Sequence, residues 1–381
     1  MKGSKKICIL TYPILNPESS YHKIIRNFSA IMSSLMDEVQ IISSNFVPHC
    51  TKCEMLEKFD FEYSDKFPMN VINFMMIQIK LSNILFRKRK ILSNKVFVMS
   101  GMLTLPTISI KILGKKAILT GIASETNILS AKKNKRKSIS AILERFNFEL
   151  SDLIIVESKN VASFMQLSNT NKIIYDGCLY IKEDGFDPTV LWSDREYDLG
   201  YVGRFSKEKG VKELISAVSR LKKNHPAIKV LLAGDGEEYD NMVSMVEDLG
   251  LMDNVHMVGW ISHDQLPEWL NQIKLLILPS FSEGLPNILL ESMSCGTPVL
   301  ANNVGGIPDV ISDGLNGYIM KDNTPEEINE QVSKIMDYGD LTKISDAALK
   351  TIANKYQLVS LQKRWENNID ILETKLIKRC I

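Results

Sequence analysis

Residues 276–311, LILPSFSEGLPNILLESMSCGTPVLANNVGGIPDVI, decide the reading of the fold. An apolar run ends at Pro279, and a polar loop follows over 280–284. A helix is expected over 285–295, a second buried strand over 297–301, and a Gly-rich turn over 304–308. This is the strand–loop–helix–strand unit of a parallel sheet. The loop carries Glu283 and the helix carries Glu291. A helix entered through a small-residue loop presents free N–H groups and a positive dipole end, which suit phosphate. Carboxylates beside it accept hydrogen bonds from sugar or ribose hydroxyls. The segment therefore reads as a holder for a molecule with both phosphate and hydroxyls, of which a nucleotide sugar is one.

Outward from this unit the same alternation continues. Toward the N-terminus, strands are expected at 199–202, 229–233, 255–258 and 275–278, and a further one follows at 318–320. Helices are expected over 209–224, 237–249, 265–271 and 325–338, with more helix to the end. The first half repeats the pattern with strands at 6–11, 38–43, 95–100, 116–120 and 153–157. Its helices are expected over 21–36, 139–150 and 159–166, while 44–68 fits neither period. The chain thus reads as α/β, with two doubly wound Rossmann-like domains facing across a cleft. The first is expected over 1–180, joined by a last helix at about 358–381, and the second over 190–357. The linker is read in 176–196, around Gly177, Gly185 and Pro188.

A chain of 381 residues, 45% hydrophobic and 24% charged, is too long for one typical core and has an ordinary globular composition. Its net charge of +1 conceals a division: residues 1–185 carry +10 and the remainder −9. The basic half suggests an anionic partner, with a solvated basic face as the alternative. The start, MKGSKKICILTYPIL, has lysines before an apolar run but no small-residue cleavage pattern, and reads as the first strand. No run reaches the length of a spanning helix, so a cytoplasmic location is expected. Six scattered cysteines do not suggest a disulfide framework. His49, Cys50 and Cys53 resemble half a zinc site, but no second pair follows and four ligands are the rule. No Asp-x-Asp pair occurs, which removes the simplest carboxylate pair for a substrate-bridging Mg²⁺; no metal or other cofactor is expected. The Met-rich segment 69–86, followed by Arg87, Lys88, Arg89 and Lys90, fits either a core helix or one that dips into a membrane surface.

The chemistry concentrates at strand ends. Gly203 allows a sharp turn after the strand at 199–202, and Arg204 and Lys209 then emerge on the loop. A guanidinium grips two phosphate oxygens and an ammonium adds a point charge, so the two together suit a diphosphate without a metal. Gly234, in Ala233-Gly-Asp-Gly-Glu237, permits a tight turn or close approach of a ligand. Tyr239 stands where a third glycine would complete a dinucleotide fingerprint, which argues against a nicotinamide enzyme. Asn287 is expected to cap its helix or touch ligand.

These motifs, in order, resemble the retaining glycosyltransferases of family 4, which have the GT-B fold. The resemblance rests on Val202-Gly-Arg-Phe with Lys209-Gly210, on Leu232-Ala-Gly-Asp-Gly236, on 255–259, on 279–308 with Glu283 and Glu291, and on Asp313-Gly-Leu-Asn-Gly317. It covers about 150–320. It implies that Arg204 and Lys209 hold the donor diphosphate, that Glu283 faces the donor sugar hydroxyls with the N–H groups of Gly284 and Leu285 nearby, and that Glu291 holds the ribose. Glu283, Arg204 and Lys209 are then the catalytic group. The first domain departs from the pattern. The loop 11–21 contains no glycine, and 117–125 contains no histidine; Ser124 or Glu125 is the candidate there.

The function expected is retaining transfer of a sugar from a UDP- or GDP-sugar to a hydroxyl acceptor, in polysaccharide, lipid-linked glycan or glycolipid synthesis. The acceptor is expected to be a glycan or lipid-linked, with peripheral contact to an anionic membrane at its inner face and no nucleic acid partner. The alternatives are a non-catalytic nucleotide-sugar or glycan-binding subunit and a GT-B-like sugar-nucleotide epimerase.

Overall fold

The computed structural model describes residues 5–12, 20–44, 46, 50–59, 69–120, 137–167, 171–181 and 185–377. The chain divides into two compact units, residues 1–179 with 361–381, and residues 180–360.

The first unit runs β1 (Lys6–Leu10), α1 (Ser20–Leu35), β2 (Glu38–Ser43), β3 (Cys53–Lys58), α2 (Met69–Arg87), β4 (Lys95–Val98), α3 (Thr104–Ile112), β5 (Lys116–Leu119), α4 (Lys137–Leu150), β6 (Leu153–Val156), α5 (Lys159–Phe164) and β7 (Ile173–Tyr175). Its strands are parallel and ordered β3-β2-β1-β4-β5-β6-β7. A sheet covered by helices on both faces takes continuous apolar strands rather than alternating ones, and the cores of β1, β4, β5 and β6 are buried throughout. Two strands were not foreseen, the three-residue β7 and β3, and β3 falls in the stretch that fitted neither period. It is an edge strand in which only Leu56 is buried, it carries Glu54, Glu57 and Lys58, and a bulge at Ile41/Ile42 breaks its register with β2.

The second unit contains β8 (Tyr197–Val202), α6 (Val211–Asn224), β9 (Val230–Ala233), α7 (Tyr239–Asp248), β10 (Val255–Gly259), α8 (Leu266–Leu270), β11 (Ile273–Leu278), α9 (Asn287–Ser294), β12 (Val299–Asn302), α10 (Ile307–Val310), β13 (Tyr318–Met320), α11 (Pro325–Tyr338) and α12 (Leu341–Lys355). Its parallel sheet has the order β10-β9-β8-β11-β12-β13. Leu214, Ile215, Val218 and Leu221 from α6 share its main core with Val230, Leu232 and Leu275 of the sheet. The α/β class with two parallel Rossmann-like sheets is the one expected.

The last helix, α13 (Leu358–Ile377), belongs to the first unit from Leu361 onward. Trp365 is fully buried against Phe28 with ring centroids 5.4 Å apart, and its indole N–H donates to the Gly177 carbonyl at 2.9 Å. Arg364 and Asn368 donate to the buried Asp176 carboxylate at 3.2 Å and 2.7 Å.

Two cysteine expectations change. Cys50 and Cys53 are joined as a disulfide in the turn between β2 and β3, so one bond exists where no disulfide framework was expected. Their Cα atoms lie 5.3 Å apart, a separation a tight turn supplies. His49 lies outside the described residues, as do Ser124, Glu125, and residues 13–19 of the loop after β1.

Candidate functional site

In the second unit the direction of winding reverses between β8 and β11, which are neighbours in the sheet but far apart in the chain. A crevice opens at the carboxyl ends of the strands at such a seam. The loop after β8 therefore meets the loop after β11, 70 and more residues later. Phe281 N–H donates to the Glu208 carbonyl at 2.9 Å, joining them directly. Lys209 ends a short 3₁₀ turn, Lys207–Lys209, and its Nζ donates to Glu283 Oε1 at 2.7 Å. Ser280 Oγ donates to the same oxygen at 2.7 Å. The Lys209 side chain is 21% exposed and that of Glu283 9%, so the pair sits in a partly dry place where its attraction is stronger than at an open surface.

Two glycines whose conformation matters flank this pair. Gly210, at φ +70°, ends the 3₁₀ turn, and a Cβ there would overlap the Pro279 carbonyl. It also separates Lys209 from α6, so the helix expected from 209 begins at Val211. Gly305, at φ +56°, presses on the backbone of the Glu283 loop, and a Cβ there would overlap the Glu283 carbonyl. Gly306 N–H donates to the Gly284 carbonyl at 2.6 Å.

Arg204 is exposed and has no ion-pair partner among the described residues. Its backbone is fixed from both sides. Tyr201 Oη donates to the Arg204 carbonyl at 2.8 Å, and Phe205 N–H donates to the Asp235 carbonyl at 2.9 Å. The loop after β8 is thereby fastened to the loop after β9, where Gly203 and Gly234 lie against each other.

The helix expected from Leu285 begins instead at Asn287, because Pro286 excludes the helical conformation from the residue before it. Gly284 and Leu285 belong to the loop, so their N–H groups are not those of the helix terminus. Asn287 does not cap: α9 has no side-chain cap, and its first-turn N–H groups lack that partner. Space is open around Gly284, where an added Cβ would meet nothing within 4 Å. Glu291 lies one turn on, 3% exposed, with Oε1 3.1 Å from His263 Nε2.

Two residues at the site were not singled out from sequence. His263 follows β10 at the sheet's carboxyl edge and makes the contact with Glu291; its position after a strand was the available signal. Arg195 is buried and has no ion-pair partner among the described residues. It donates to the carbonyls of Ile273 at 2.8 Å and Cys295 at 2.7 Å and to Thr297 Oγ1 at 2.5 Å. Cys295 is the C-cap of α9, so a cation neutralises the negative end of the helix whose start faces the seam. Burial lowers the Arg195 pKa to about 10. Nothing in the sequence near Arg195 signals this.

Residues 186–353 match the family of glycosyl transferases group 1. The match covers the whole seam, including Arg204, Lys209, Glu283 and Glu291. An uncharacterised glycosyltransferase of Methanocaldococcus jannaschii is 29% identical over 209 residues, 54% of this chain and 56% of its own length. The chain spans about half the length of the curated relatives it matches. Among solved structures, a sucrose-phosphate synthase from Thermosynechococcus elongatus superposes with a TM-score of 0.77 at 15% identity, covering 97% of this chain and 100% of that one. Anabaena HepE in complex with UDP gives 0.72 at 17% identity, covering 96% and 99%. The fold is that of the GT-B glycosyltransferases.

Proposed function

We propose that the protein is a glycosyltransferase that moves a sugar from a nucleoside diphosphate to a hydroxyl acceptor, with retention at the anomeric carbon. The observation that carries this reading is the meeting of Lys209, Glu283 and the uncapped start of α9 at one seam, inside the segment that matches glycosyl transferases group 1. UDP is the nucleotide in the HepE complex, and a UDP- or GDP-sugar is the donor class proposed here.

In this reading Arg204 and Lys209 grip the donor diphosphate. An ammonium has three donors and spends one on Glu283, which leaves others for phosphate without breaking the pair. As the sugar–phosphate bond breaks, negative charge grows on the leaving diphosphate, and fixed cations and peptide N–H groups stabilise it. Removing one such preorganised donor costs about 3–4 kcal/mol in other enzymes. Glu283, held by Lys209 and Ser280, accepts hydrogen bonds from sugar hydroxyls, and Glu291, steadied by His263, accepts from the ribose. The acceptor hydroxyl attacks on the leaving-group face, and the leaving phosphate oxygen takes its proton. Charge neutralisation by protein cations makes the reading metal-independent, so activity should survive a chelator; loss restored by Mg²⁺ overturns that part. The acceptor is proposed to be a glycan or lipid-linked hydroxyl at the cytoplasmic face of a membrane.

The test is nucleoside diphosphate binding by calorimetry in Arg204→Ala and Lys209→Ala proteins. Weakened binding in both supports the assignment, and unchanged binding removes it. Product analysis with a nucleotide sugar separates transfer or slow donor hydrolysis from epimerised donor, the outcome of the epimerase reading, and from no turnover, the outcome of a binding subunit.

A further inference from the structure

Helix α2 is apolar on two opposite faces, and only one of them is used by the fold. Ile77, Leu81, Ile84 and Leu85 are buried in the core with Leu10, Val96 and Val98 of the sheet. Val71, Ile72, Met75, Met76, Ile79 and Phe86 lie on the other side of the helix and are 37–58% exposed. A helix of a globular protein normally carries one apolar stripe and turns charged residues to solvent. The face is apolar from Val71 to Ile79, and only Ser82 and the exposed Asn83 interrupt it before Phe86; contiguous exposed apolar surface of this kind marks an interaction site. The neighbouring helices extend the theme, with Leu105 and Ile112 exposed on α3 and Ile142 and Phe146 on α4.

Charge decides what the face meets. Lys80 and Arg87 stand beside the stripe on α2, and Lys88, Arg89 and Lys90 follow its last turn. Arg87 and Lys88 share Glu57, whereas Arg89 and Lys90 have no ion-pair partner among the described residues. A basic rim around an apolar face complements an acidic lipid surface, which offers acyl chains to one and anionic headgroups to the other. The helix cannot cross a bilayer. Its other face is locked into the core, and no described helix is long and apolar enough to span.

We propose that the outer face of α2 docks the first unit onto an anionic membrane surface, with the helix lying in the plane of the interface. Docking stands on these residues alone. Only the further step, that the surface delivers a lipid-linked acceptor, rests on the glycosyltransferase reading.

The experiment is co-sedimentation of the whole protein with phosphatidylcholine vesicles, with and without phosphatidylglycerol, at low and high salt. The wild type should pellet with the acidic vesicles and be released by salt. Met76→Asp/Ile79→Asp should lower the partition about tenfold or more. Arg89→Glu/Lys90→Glu should lower it without touching an apolar residue, which guards against a folding artefact. Calorimetric nucleoside diphosphate binding should be unchanged in both variants. Failure there would concern the sugar-transfer reading, and failure of sedimentation would concern docking. Indifference to acidic lipid overturns the proposal, as does wild-type sedimentation by both variants. A wild-type dimer in the ultracentrifuge that Met76→Asp/Ile79→Asp dissociates also overturns it, in favour of self-association.

Discussion

Lys209 Nζ and Glu283 Oε1, 74 residues apart in the chain, are 2.7 Å apart in the fold. Each sits on a loop fixed by other bonds: Lys209 by its 3₁₀ turn and Gly210, Glu283 by Ser280 and the glycine turn at 305–306. The pair therefore forms without ordering anything further. A double-mutant cycle of Lys209→Met and Glu283→Gln, read by urea unfolding, should give a coupling energy of about 1–3 kcal/mol. The single Lys209→Met change should cost more than the double, because it strands a largely covered carboxylate. Additive effects would mean the pair is not coupled in solution.

Gly305 and Gly284 should separate stability from binding. Gly305→Ala forces a strained backbone against the Glu283 carbonyl and should destabilise by about 1–3 kcal/mol. Gly284→Ala meets open space and should leave stability within about 0.5 kcal/mol, while crowding the place proposed for the donor sugar. Thermal melts with calorimetric titration of a nucleotide sugar check both. Normal donor affinity in Gly284→Ala would empty that place of its proposed ligand.

Glu157 directly follows β6, and desolvation raises its pKa from 4.5 to about 7. The native state thus holds this proton more tightly than the unfolded chain. The contribution is fully present below about pH 4.5 and disappears as pH rises through about 7, with a size on the order of 3 kcal/mol. Glu157→Gln should flatten the loss of stability between pH 5 and about 8 and exceed the wild type at the upper end. Urea midpoints across that range provide the check; an equally steep fall in the variant would show that another group is responsible.

The return of α13 to the first unit hangs on Trp365 and Asp176. Trp365→Ala removes a fully buried indole and should cost about 3–5 kcal/mol. Asp176→Ala leaves Arg364 and Asn368 without their acceptor and should loosen the same helix. Hydrogen exchange along 361–377 should rise in both variants. Protection unchanged from wild type would place the anchoring elsewhere.

The sequence by itself determined the class and order of elements. Buried parallel strands are written as unbroken apolar runs, as in 276–278 and 153–156, and amphipathic helices as a 3.6-residue period, so both are local signals. It also placed Arg204, Lys209 and Glu283 on loops that follow strands, and Glu291 in the helix after them. An edge strand such as β3 was not legible, because only one of its residues is buried and its pattern is mixed. Pro286 carried the true start of α9, but the small-residue loop before it drew the helix two residues early. Tertiary structure alone decided which loops meet. The seam between β8 and β11 joins Lys209 to Glu283, and it depends on strand order, a property of pairing that no local period encodes. The same holds for Arg195, whose hydrogen-bond acceptors come from positions 270–297, for the contact of His263 with Glu291, and for the outer face of α2. Residue spacing shows that α2 is apolar, but only packing against a sheet decides which of its faces is covered.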